Sequence, residues 1–255
     1  MMAQVAAGLA SHLAAGGLLL AAALSLFHHL PIGFLRFCAG SSALLAAFAA
    51  MPGSSPLRVR LAFVALSLAA SIWYVFLTAT GKTRKPIAFL AAVAAALVPG
   101  LTAGAGASTE TWVAVLSSLS AALLLGAVSV TMVLGHWYLV DTSLSIAPLR
   151  DGALWVSLAV AARLVAVAAA LAFGGWEILR IGRAADVIFS TNGLFFLFRT
   201  LMGLGAPLLL AGLIWQTVKI RSTQSATGLL YVALILVLFG ELTSEFLRLR
   251  TGYPL

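Results

Sequence analysis

The sequence predicts an all-α fold, a polytopic transmembrane helical bundle of about eight spans. Three observations predict it. Hydrophobic residues make up 62% of the 255 positions and charged residues only 9%, against about 45–50% and about 25% in an ordinary globular domain. Mean hydropathy is +1.11. The apolar residues come in unbroken runs of about 20, the length a helix needs to cross the hydrocarbon of a bilayer. Strands of a membrane barrel would instead alternate apolar and polar residues with period two. A helix also pairs its backbone N–H and C=O groups within one segment, which lipid requires.

Eight runs meet the length criterion: 5–27, 34–51, 61–80, 86–103, 111–138, 153–173, 194–217 and 226–247. The first lacks a basic n-region and is too long for a signal peptide, so it is expected to stay as helix one. The stretch 99–110 is rich in Pro, Gly and Ala with only Glu110 charged, and reads as a loop. The stretch 174–193 is the longest polar insertion and mixes Trp176, Ile178, Leu179 and Ile181 with Arg180, Arg183 and Asp186. It suits either a short helix lying at the interface or a solvated loop. The chain 1–255 is thus expected to be a single integral membrane domain with no room for a soluble catalytic domain.

Eight spans place both termini on one side, called B here, and the loops after helices one, three, five and seven on the other, A. Side A carries seven bases (Arg36, Lys82, Arg84, Lys85, Arg150, Lys219, Arg221) and side B six (Arg58, Arg60, Arg180, Arg183, Arg248, Arg250). The positive-inside rule works on an asymmetry, and this one leans only slightly towards a cytoplasmic side A. The expected location is a bacterial-type inner membrane, crossed many times. Net charge is +8, but the bases are scattered singly beside membrane helices, so no nucleic-acid partner is expected.

An internal similarity suggests two four-helix halves, 1–107 and 108–255. Thr80-Gly81-Lys82-Thr83-Arg84 and Thr217-Val218-Lys219-Ile220-Arg221 are both T-x-K-x-R at a helix end, and matching Ser11 to Ser118 also matches His29 to His136. Ligands of membrane proteins often bind where two such halves meet.

Ionisable groups within the bilayer are costly and mark functional positions by default. On side A, helices one and five both arrive with histidines, which places His28, His29 and His136 at one depth beside Trp137, Tyr138 and Asp141. Imidazole can ligate a haem iron or hydrogen-bond a quinone carbonyl and take up its proton. These six residues are therefore candidates for binding a quinone or a single haem b, with His29 and His136 the ligands if a haem is bound. The alternative is an ordinary aromatic belt with interfacial histidines. On side B, Arg199 lies one or two turns into helix seven, and Glu241 and Glu245 share a face of helix eight. Arg199 is expected to pair with one of them, as a structural lock or as part of a proton relay. Arg163, in mid-helix six, needs a partner that the sequence does not name. His12 lies near side B with no histidine partner there.

Cys38 is the lone cysteine, which excludes an internal disulfide and a thiolate-held iron–sulfur cluster in this chain. GxSxG, Walker and HExxH motifs are absent, so the chain is not expected to catalyse alone. Gly240-Glu241 followed by Arg248, and Ala14-Ala15-Gly16-Gly17 in the first helix, resemble the membrane-anchor subunits of DMSO-reductase-type molybdoenzymes and polysulfide reductase. That resemblance implies two four-helix bundles, a haem-free quinol site and a peripheral iron–sulfur partner. The segments 28–31 (HHLP) and 135–140 (GHWYLV) do not match that family's pattern, so its site residues are not carried over. Three functions are compatible with these observations. The first is a membrane subunit of a respiratory or photosynthetic electron-transfer complex, surrounded by lipid and other redox subunits. The others are a structural subunit with no site of its own and a small transporter or channel, the latter suggested by Pro99, Pro207 and the buried charges.

Overall fold

A computed structural model of the chain describes residues 1–50, 89, 92–94, 111–141, 144–175 and 190–254. Among these, all regular structure is helical. Helix α1 spans Met2–Phe27, α2 Ile32–Ala50, α3 Thr111–Val140 and α4 Ala147–Ala170, the last running into a distorted turn at Leu171–Gly175. Helix α5 spans Thr191–Thr200, a π-helical turn occupies Leu201–Gly205, α6 spans Ala206–Lys219 and α7 Thr223–Thr251. With α5, the turn and α6 forming one continuous span, six helices are long and apolar enough to cross a membrane. They correspond to six of the eight runs. The run 61–80 and nearly all of 86–103 lie outside the described residues, as do the stretch 99–110 and residues 176–189 of the polar insertion; the division into four-helix halves depends on these. The chain is a multi-pass, all-helical integral membrane protein.

The helices outrun their apolar stretches because hydrogen bonding propagates until a terminator stops it. Helix α1 stops where His28 turns extended, three residues before Pro31, which disfavours helix in the residue before it. Pro148 sits in the first turn of α4, where no N–H is needed, and Pro207 follows the π-helical turn at Leu201–Gly205. The Ser190 hydroxyl caps α5 by accepting the Gly193 N–H at 3.0 Å. Gly252, left-handed at φ 74°, closes α7.

Lipid supplies no hydrophobic drive between helices, so packing rests on close backbone approach at small residues. Helices α1 and α3 run parallel and touch at Gly16 and Gly126, where a Cβ on Gly16 would lie 1.7 Å from the Ala122 carbonyl oxygen. The core gathers Leu18, Leu20 and Leu24 of α1, Leu124, Leu125 and Leu134 of α3, and Val156 and Val160 of α4. A smaller cluster near side B holds Val113, Phe196, Leu247 and Tyr253.

Tyr253 ties the C-terminal tail to the end of α4. Its hydroxyl donates to the Ala170 and Phe173 carbonyls, each at 2.8 Å, where the regular helix gives way to the distorted turn. Tyr253→Phe leaves the buried Ala170 carbonyl without this donor and should cost about 1 kcal/mol, read as a lower unfolding midpoint in mild detergent. An unchanged midpoint would mean that the tail does not hold the end of α4.

Candidate functional site

The side A residues take separate partners. His28 Nε2 lies 2.8 Å from Asp151 Oδ2 at the start of α4, while His29 is exposed. His136, also exposed, meets the Tyr231 hydroxyl of α7 through Nδ1 at 3.4 Å. Trp137 stacks edge-on against Phe34, with ring centroids 6.1 Å apart. Tyr138 is buried and donates its hydroxyl to the Ser145 carbonyl. Asp141 directly follows α3, its N–H bonded to the Trp137 carbonyl at 2.9 Å. Two of the three histidines at this end therefore spend a ring nitrogen on tying helices together. Among the described residues, no group of three His, Cys, Asp or Glu side chains is placed to hold a metal ion.

The other end of the bundle brings charge together. Ser117, Ser118 and Ser120 lie in the second and third turns of α3, and Arg163 lies two turns before the end of α4. Glu241, Ser244, Glu245 and Arg248 follow at i, i+3, i+4 and i+7 along α7, which puts them on one face. With His12 of α1 and Arg199 of α5, all lie roughly 5–15 Å inside the side B ends of their helices at 1.5 Å per residue. Five helices thus deliver polar groups to one depth, within the membrane.

Arg163 is the hub. Its Nε donates to Glu241 Oε1 at 2.8 Å and its Nη2 to Oε2 at 2.6 Å, a two-pronged pair. Nη2 also reaches Ser244 Oγ at 3.1 Å. Nη1 donates to the Ser117 carbonyl at 2.7 Å, Ser117 Oγ at 2.9 Å and Ser120 Oγ at 3.2 Å. Arg163 is 1% exposed and Glu241 3%, and in so dry a place only this degree of satisfaction offsets the loss of hydration.

Glu245 is held from its own helix by Arg248, whose Nε and Nη2 donate to Oε2 at 3.0 and 2.7 Å. Its other oxygen faces His12 Nδ1 at 3.5 Å, too long for a good hydrogen bond, so this ring nitrogen is buried without a partner among the described residues. His12 Nε2 is 2.8 Å from Ser118 Oγ. The Arg248 side chain is 33% exposed, so Glu245 stands between a buried imidazole and the surface.

Arg199 is also 1% exposed, yet its Nε, Nη1 and Nη2 have no hydrogen-bond partner among the described residues. The expected pair between Arg199 and Glu241 or Glu245 does not form, because Arg163 occupies both oxygens of Glu241 and Arg248 holds Glu245. Arg199 stays within electrostatic reach of Arg163 and Glu241. It sits just before the π-helical turn at Leu201–Gly205 and Pro207, where the membrane helix is irregular. There Gly203 meets Gly240 of α7 so closely that a Cβ on Gly240 would lie 2.2 Å from the Gly203 Cα. Irregular turns of this kind concentrate at functional positions.

Sequence reasoning finds Arg163, Arg199, Glu241 and Glu245 but misses that His12, Ser117, Ser118, Ser120 and Ser244 join them. Counting residues from each side B helix end places all of them at similar depth. No protein-family model, curated protein or solved structure matches the chain.

Proposed function

We propose that this chain is a small proton-coupled transporter. The observation that carries this reading is the meeting of ionisable side chains from α1, α4, α5 and α7 beside the irregular turn that follows Arg199. Interrupted helices lining a site within the membrane are a common transporter device, and intramembrane His and Glu residues commonly relay protons. In this reading Arg163–Glu241 is the fixed frame and His12–Glu245 the proton-exchanging pair. The test is solute-evoked proton uptake into proteoliposomes of the full chain, followed with a trapped pH dye across a panel of small charged and neutral solutes. Uptake that falls at least tenfold in His12→Gln and in Glu245→Gln is the expected result. Uptake untouched by both substitutions, or no uptake across the panel, would count against it.

The His12–Glu245 contact also favours a second reading, since an imidazole beside a carboxylate suits deprotonation of a quinol in a membrane subunit of an electron-transfer complex. It shifts the site from side A to side B. A haem b would need His12 or His28 either to give up its Nε2 contact with Ser118 or Asp151 or to ligate through Nδ1. Stoichiometric quinone in a solvent extract of the purified protein, lost in His12→Ala, would favour this reading over transport. A reduced-minus-oxidised spectrum with a b-type band would restore the haem.

A further inference from the structure

We infer that Arg199 is the binding group for a small anion bearing a carboxylate or a group of like geometry, and that this anion is the solute carried; the second half rests on the transport reading above.

The charges in the buried cluster do not balance. Among the described residues, the cluster and its exit hold three guanidinium groups, Arg163, Arg199 and Arg248, and two carboxylates, Glu241 and Glu245. Each carboxylate is matched by an arginine in direct contact, Glu241 by Arg163 and Glu245 by Arg248. Among the described residues one positive charge is left over, on Arg199. A guanidinium does not shed its proton in proteins, and an unpaired cation inside a bilayer is among the costliest groups a helix can carry. Neutral serines, which help Arg163, do not bond Arg199: Ser117, Ser120 and Ser244 are all used by Arg163.

Geometry supports the same inference. Arg199 presents a planar fork of donors, the shape that receives a carboxylate through two parallel hydrogen bonds. The fork is fully buried, as a binding group must be to exclude water and gain strength from a low dielectric. Its backbone lies beside the π-helical turn, and the Gly203–Gly240 approach fixes that turn against the helix bearing Glu241. Binding an anion there would bring the cluster to charge balance.

A phosphate headgroup of a membrane lipid offers the same fork-accepting chemistry as a free carboxylate, and the experiment separates them. The full chain, purified in a nonionic detergent, is titrated with sodium acetate, sodium benzoate and sodium phosphate at constant ionic strength, with sodium chloride as the balancing salt. Thermal unfolding gives the readout. The expected result is a saturable rise in the unfolding midpoint with one of the anions, weakened at least tenfold in apparent affinity in Arg199→Lys and lost in Arg199→Leu. Arg199→Leu removes an unpaired buried charge, so the unliganded variant should fold and unfold at or above the wild-type midpoint. A midpoint that rises without saturation, or equally in Arg199→Leu, would overturn the assignment. So would native mass spectrometry showing a phospholipid retained by the wild type and lost from Arg199→Leu, since the occupant would then be lipid. Saturable binding without uptake into proteoliposomes would leave the anion site standing and remove the transport reading. Uptake of a neutral solute, unaffected in Arg199→Leu, would do the reverse.

Discussion

Glu241→Gln should destabilise the bundle by about 3–5 kcal/mol, the cost of stranding a buried charge. Glutamine is nearly the same size but accepts only one of the two Arg163 prongs and turns its amide NH2, a donor, towards the other, so charge and one hydrogen bond are lost together. In the wild type the carboxylate receives two prongs from Arg163 and also faces the field of Arg199. Without it, two guanidinium groups share a dry region of the bilayer with no anion bonded to either. Arg163→Gln together with Glu241→Gln should recover a large part of the loss, because one unmatched cation then remains instead of two. The measurement is reversible unfolding in mixed detergent and SDS for the four members of the cycle. A double variant no more stable than Glu241→Gln alone would mean that the pair contributes through shape and not through charge.

The membrane class and six of the helices are legible because lipid leaves few alternatives. A continuous apolar run of about 20 residues has one stable backbone, and the polar punctuation marks its ends. The side B site is legible by residue type but not by pairing. Arg163, Arg199, Glu241 and Glu245 stand out in apolar helices on cost alone. Who pairs with whom depends on which helices adjoin and how far a side chain reaches, and neither is written in local sequence. Chain proximity favours Arg199 for Glu241, since their helices are consecutive. Arg163 prevails because the serines of α3 complete its shell: Ser117 and Ser120 satisfy the nitrogen that the carboxylate does not. Serines in an apolar helix look like packing residues until a guanidinium is seen against them. His12 looks isolated in the sequence for want of a second histidine, whereas it bonds a serine and has a carboxylate as its neighbour.

Helices α1 and α3 lie side by side in the same direction, with His12 bonded to Ser118 and Gly16 against Gly126. That contact positions the imidazole for Glu245, so helix packing and site geometry are one problem here. Gly8 shows the same dependence, because a Cβ there would stand 2.7 Å from Glu245 Oε2.

Gly16→Ala should therefore be severe, while a helical glycine with open space around it should tolerate the same change. Alanine is favoured over glycine by about 1 kcal/mol within a helix, and Gly228 on α7, where a Cβ would meet no atom within 4 Å, should gain from that preference. At Gly16 the same methyl would fall 1.7 Å from the Ala122 oxygen and 2.6 Å from its carbon, both backbone atoms that no rotamer change can move. Relief requires α1 and α3 to separate, at a cost of about 3 kcal/mol or more, and separation lengthens the His12–Ser118 bond. Gly16→Ala and Gly228→Ala should thus shift the unfolding midpoint in opposite directions. Gly16→Ala should in addition weaken any proton exchange that depends on His12, while Gly228→Ala leaves it unchanged. Equal midpoints for the two variants would show that the α1–α3 crossing is looser than the backbone contact at Gly16 and Gly126 implies.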